Sequence, residues 1–71
     1  MKPYILSILD EHFLTQADLA RILGIERSHL GKLISGKHRP TIKTIKFLAQ
    51  GLDRVDGKGW KTHALVLRGR E

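Results

Sequence analysis

The stretch from Gln16 to Ser35, QADLARILGIERSHLGKLIS, decides how this chain is read. Leu19, Ile22 and Leu23 recur at helical spacing and stop at Gly24, a residue suited to the left-handed conformation that ends helices. Just upstream, Thr15-Gln16-Ala17-Asp18 has the form of a capping box, in which a hydroxyl and a carboxylate satisfy two N–H donors at a helix start. A second stripe, Leu30, Leu33 and Ile34, predicts another helix from about Arg27 to Ser35, with Glu26 at its N-cap position and Gly36 as its stop. Glu is a mediocre cap but is favoured near the positive end of a helix dipole. Ala20 is small where the two helices approach, Gly24 makes a tight turn, and Ile25, Leu30 and Leu33 fill the wedge between helices that cross steeply.

One part of this region has a competing reading. Gly31 to Lys37 fits the first seven positions of the phosphate-cradling loop of nucleotide hydrolases, G-x-x-x-x-G-K-[ST]. Such a loop needs a strand before it, a helix after it and a Ser or Thr following the lysine to reach magnesium. Here a helix precedes, Pro40 soon follows, and the hydroxyl position holds His38. No nucleotide is expected to bind.

Outward from the central stretch, the chain reads as further short helices. Pro3 suits a first helical turn, and Tyr4, Ile5, Ile8, Leu9 and His12 predict a helix over about residues 3 to 12. Pro40-Thr41 announces a fourth helix, with Thr41 as cap, Ile42, Ile45, Leu48 and Ala49 facing inward, and Gly51 closing it. The tail changes character at the turn signal Asp56-Gly57-Lys58-Gly59. After it, Trp60, Thr62, Ala64 and Val66 alternate with Lys61, His63, Leu65 and Leu67, which predicts a strand that must pair with something to satisfy its backbone. The contiguous Ala64-Leu65-Val66-Leu67 also suits a helix. The chain therefore reads as mainly α: a compact four-helix domain over residues 1–53, then a C-terminal β-strand or short hairpin over 54–71.

Composition narrows the function. A chain of 71 residues makes one small core and leaves no room for a deep, walled cleft. With no Cys, thiolate metal sites, cysteine nucleophiles and disulfides are excluded. The histidines at 12, 29, 38 and 63 form no i,i+4 pair, Asp10 and Glu11 diverge on their helix, and Ser28 and His29 point apart. No catalytic site, metal or cofactor is expected. No segment approaches the roughly 20 apolar residues of a membrane span, and the N-terminus lacks a leader pattern, so a cytoplasmic protein is expected.

The net charge of +6 is unevenly placed. Arg27, Lys32, Lys37, Arg39, Lys43 and Lys46 occur between residues 27 and 52 without a single acid, whereas Asp10, Glu11, Asp18 and Glu26 outnumber Lys2 and Arg21 before them. An acid-free run inside an apolar-patterned region points to a polyanionic partner. A membrane surface fits less well, because the bases do not line one face of a single long helix.

Leu14-Thr15-Gln16, Leu19-Ala20, Gly24-Ile25, Leu30, Leu33, Gly36 and Pro40 together resemble the phage-repressor and Cro-like (Xre-type) helix-turn-helix family, over about residues 3 to 52. The resemblance implies a lambda-repressor-like helix-turn-helix domain, with its motif at 16–35. It further implies that the helix beginning at Arg27 enters the major groove of double-stranded DNA, with Arg27, Ser28, His29 and Lys32 at the base edges. Arg27 is the strongest candidate for direct readout, since its fork can pair with O6 and N7 of guanine. Gln16 matches a family glutamine that lies on the phosphate backbone and often braces a recognition-helix side chain, and it is expected among the base contacts as well as the phosphate contacts. Lys37, His38, Arg39, Thr41 and Lys43 would grip phosphates and fix register. The fold implied includes a fifth helix near the position where the tail reads as a strand.

The expected function is a sequence-specific transcriptional regulator, most simply a Cro-like repressor or autoregulator acting as a homodimer on a palindromic operator. Trp60, Thr62, Ala64, Leu65, Val66 and Leu67 are the candidate dimer contacts. The alternative is an antitoxin-type module whose tail binds a different protein. Gly31, inside the recognition helix, fits either close packing or close approach to DNA.

Overall fold

The computed structural model describes residues 2–35 and 40–69. Five helices follow in order: α1 (Lys2–Glu11), α2 (Gln16–Leu23), α3 (Arg27–Ile34), α4 (Ile42–Asp56) and α5 (Trp60–Leu67). Their ends have local causes. The capping box at α2 forms as expected: the Asp18 N–H donates to Thr15 Oγ1 at 3.2 Å, and the Thr15 N–H donates to Asp18 Oδ2 at 2.8 Å. Past α2, Gly24 is left-handed (φ 76°), and the N–H groups of Gly24 and Ile25 close on the carbonyls of Arg21 and Ala20 at 3.2 and 3.0 Å. Thr41 caps α4, its Oγ1 accepting from the Thr44 N–H at 3.1 Å.

The apolar stripes meet in one core made of Ile5, Ile8 and Leu9 from α1, Leu19 and Ala20 from α2, Leu30 and Ile34 from α3, Ile45, Leu48, Ala49 and Leu52 from α4, and Leu67 from α5. Burying each large aliphatic side chain contributes about 1.5–3 kcal/mol, so this shared cluster is the main source of cohesion. α4 is the hub, packing on α1, α2 and α5, while the principal neighbour of α3 is α2. The hub and α2 are also tied by Arg54, whose guanidinium donates to the Ile22 carbonyl at 3.2 Å, one of the acceptors left open at the end of α2.

Three expectations are corrected. The predicted C-terminal strand is a helix, α5, so the domain has five helices and, among the described residues, no strand. The spacing that governs is Trp60, His63, Ala64 and Leu67, one face of a helix that packs on α4, and a helix satisfies its own backbone where a lone strand has no partner. The alternation misled because His63, a polar residue, is an inward one, 1% exposed.

The second correction concerns the end of α4, which runs through Gly51 and stops at Gly57 (φ 71°). Gly51 is there for proximity: a Cβ at this position would collide with the Leu23 side chain where α2 crosses α4. Third, Ile42 does not face inward but is 80% exposed. It continues the stripe of Ile45 and Leu48, yet in the first turn of α4 it only borders the open end of a groove between α4 and α5. At the other end of the fold, His12 lies just past α1 and is exposed.

Candidate nucleic-acid interface

The structure turns one side of α3 to solvent. Leu30 and Ile34 are buried and Leu33 is half-buried, which leaves Arg27, Ser28, His29 and Lys32 exposed on the remaining arc. Because α3 leans chiefly on α2, nothing in the described chain covers that arc. None of these four side chains has a hydrogen bond or an ion pair to another described residue. Ser35, the next residue along, is also exposed and donates its hydroxyl to the Lys32 carbonyl at 3.1 Å. It was not among the expected contacts.

Glu26 stands at the N-cap of α3 in extended conformation (ψ 150°) and makes no side-chain cap bond. The N–H donors of the first turn of α3 are therefore not engaged by that carboxylate. The start of α2 is built differently. Gln16, half-buried, is the first helical residue after the Thr15 cap, and the nearby Asp18 is spent on the capping box and on Arg21, 3.3 Å away. The hydrogen bonds from the Thr15 backbone and hydroxyl, with a smaller contribution from Arg21, hold the Asp18 carboxyl below its ordinary range against a weak opposing effect of burial.

On α4, Lys43 is exposed beside the Thr41 cap. The Thr41 hydroxyl has its one proton committed, donating to Thr44 Oγ1 at 3.1 Å while accepting from the Thr44 N–H. Lys37, His38 and Arg39 lie outside the described residues.

Of the candidate dimer contacts, Leu67 belongs to the protomer's own core, and Trp60 and Ala64 are half-buried against it. Thr62, Leu65 (55% exposed) and Val66 (42%) face solvent. A groove between α4 and α5 has an apolar floor of Ile42, Ile45, Trp60, Ala64 and Leu65, with Lys46, Lys61 and Arg68 lining it as well. The Lys46 ammonium sits 5.4 Å from the centre of the Trp60 ring, a cation–π contact that holds one of these charges in place.

Two arrangements carried no sequence signal. One is Phe13, 94% exposed and in the left-handed region (φ 58°), where its α1–α2 joint would suit glycine. The other joins residues at opposite ends of the chain: the buried His63 ring bonds to Tyr4 Oη through Nδ1 at 2.7 Å and to Asp56 Oδ1 through Nε2 at 2.9 Å. Among the described residues, no group of three or more His, Asp or Glu could hold a metal ion, and no helix is long and apolar enough to cross a membrane.

Comparison with protein-family models matches residues 5–58 to the family described as Helix-turn-helix, a span that begins in α1 and ends just before α5. Comparisons with curated proteins and with solved structures return no match.

Proposed function

The chain belongs to the helix-turn-helix family and is a DNA-binding regulator of that type, and from this premise we propose that it recognises a specific duplex sequence by laying α3 in the major groove. The observation that supports this most is the exposed arc of Arg27, Ser28, His29 and Lys32, whose side chains make no hydrogen bond or ion pair to another described residue. Arg27 reads guanine; Ser28 and His29 contact bases or the adjoining phosphates; Lys32 extends the same line of contact. Gln16 on α2 and Lys43 on α4 set the register on the backbone, together with Lys37, His38 and Arg39. With the Thr41 hydroxyl committed to capping, Thr41 contributes to phosphate binding only by opening the N-terminus of α4.

A single unit of this kind grips few base pairs. The protein acts as a homodimer on a palindromic operator, with half-sites about 34 Å apart or a multiple of that, and works as a repressor or autoregulator. The contact between copies is helical, made by the outward side of α5 at Leu65 and Val66. A second reading, an antitoxin-type module with a protein partner on α5, is favoured by the three cations along the apolar groove, which suit an acidic, apolar segment better than another cationic surface.

Selection of bound duplexes from a random pool tests the reading, followed by two substitutions on the selected site. Arg27→Ala is expected to cost about 1–3 kcal/mol and to relax selectivity at one base pair. Lys43→Ala is expected to weaken all sequences alike and to reduce the salt slope by about one. A pool from which the protein enriches no sequence overturns the proposal.

A further inference from the structure

Two glycines lie inside helices among the described residues, Gly31 in α3 and Gly51 in α4. Glycine weakens a helix relative to alanine, so each calls for a cause. For Gly51 the cause is internal, since a Cβ there would run into Leu23. For Gly31 the described residues supply none. A Cβ at this position would meet nothing within 4 Å, and the backbone is ordinary right-handed helix with no need of glycine's freedom. Packing against the described residues is therefore not the reason.

What distinguishes Gly31 is its location. It stands one turn after Arg27 and Ser28, one turn before Ser35, and next to Lys32, so a half-buried stretch of bare backbone lies between the exposed polar side chains of α3. The stretch has a definite chemistry. In mid-helix the N–H and C=O groups are directed along the helix axis into helical hydrogen bonds, and the surface that remains is the aliphatic Cα. A group seated there must be small and apolar. Among the groups that a major groove displays, the thymine 5-methyl fits that description.

We propose that Gly31 is a specificity-determining residue: the absence of a side chain lets the duplex approach α3 to backbone contact, with one thymine methyl seated on the Gly31 Cα between Ser28 and Lys32. The proposal rests on the major-groove reading of α3 and adds to it a base, a contact and a reason for the glycine.

The test compares Gly31→Ala with the wild-type protein on the selected site, and on copies in which each thymine in turn is replaced by deoxyuridine, which lacks the methyl. Gly31→Ala is expected to raise Tm by about 5 °C, as for removal of a helical glycine in a small domain, and yet to weaken binding to the selected site by about tenfold. One deoxyuridine replacement is expected to weaken the wild-type protein by about fourfold, the effect of one buried methyl, and to have no further effect on Gly31→Ala. A lower Tm for Gly31→Ala overturns the proposal, because the glycine would then serve the fold. So does binding equal to the wild type. A loss with Gly31→Ala that no deoxyuridine reproduces overturns the thymine contact. Arg27→Ala separates the two levels: if the wild type selects a sequence and Arg27→Ala weakens it while Gly31→Ala does not, only the Gly31 assignment falls. If the wild type selects nothing, the major-groove reading falls with it.

Discussion

Phe13 occupies a position that the local backbone reserves for another kind of residue. The N–H groups of Phe13 and Leu14 close α1 on the carbonyls of Asp10 and Leu9, at 3.1 and 2.8 Å, the same pattern that Gly24 and Ile25 make after α2. That pattern needs a left-handed residue, which costs a side-chain-bearing residue roughly 1–2 kcal/mol, and at 94% exposure the ring recovers little by packing. Phe13→Gly is therefore expected to stabilise the protein by about 1 kcal/mol, read as a rise in Tm of roughly 4–8 °C in thermal melts. An unchanged or lowered Tm would show that the ring has a partner. At this scale the sequence was most legible where one residue type has one job. Thr15, Asp18, Gly24 and Thr41 were all readable because capping is a local matter of a side chain and the three residues next to it. Phe13 was not, because nothing in its type marks the conformation it adopts.

At the scale of elements, the joint between α4 and α5 shows why spacing alone misread the tail. The last two turns of α4 end in acids, against the helix dipole, but each carboxylate is used: Asp53 Oδ1 accepts from the Gly59 N–H at 2.8 Å, and Asp56 Oδ1 accepts from the Lys58 N–H at 3.0 Å and from His63. Since a carboxylate only accepts, His63 Nε2 carries a proton, and in the neutral ring Nδ1 accepts from the Tyr4 hydroxyl. Burial, and then the Asp56 charge, push the Tyr4 hydroxyl above its ordinary range. Tyr4 and His63 are 59 positions apart, and no local pattern announces such a pair.

Replacing the ring by an isosteric apolar group, His63→Leu, leaves the Tyr4 hydroxyl and the Asp56 carboxylate buried without it, and is expected to cost about 3 kcal/mol in denaturant melts. Asp56 also predicts an acid limb. Burial pushes its carboxyl up, but the hydrogen bonds from the His63 ring and the Lys58 N–H, with the nearby Lys58 charge, outweigh that and leave it below the ordinary value. A native value lower than the unfolded one of about 3.9 contributes stability that is present above that pH and is lost as the pH falls through the native value. Tm is therefore expected to decline as the pH is taken below about 4. Asp56→Asn is expected to flatten part of that decline, and a decline identical in the variant would remove Asp56 from the account.

For the whole molecule, charge and packing are segregated. The acid-free run from Arg27 to Leu52 supplies the exposed arc of α3 and the start of α4, while the core is drawn from all five helices. The helix-turn-helix unit was legible because its apolar spacing, cap and turn all agree with one another. The fifth helix was not, because its inward face includes a histidine and its outward face includes Leu65 and Val66, which inverts the usual relation between polarity and burial. Those two residues carry the prediction at this scale. The double substitution Leu65→Asp, Val66→Asp is expected to leave the fold intact, since both side chains are exposed, and to convert a dimer to a monomer in sedimentation, with binding to a full operator weakened at least tenfold while a half-site is bound as before. A wild-type protein that sediments as a monomer at every concentration would direct attention to the second reading and its acidic partner.

The outward arc of α3 has a consequence for tolerance to change. Its side chains make no hydrogen bond or ion pair to another described residue, so exchanging them costs the architecture little. Exchanging Arg27, Ser28, His29 or Lys32 one at a time is therefore expected to leave a folded molecule, with an unchanged thermal melt as the check. Leu30 and Ile34, buried beneath, and the left-handed Gly24 do not share that freedom.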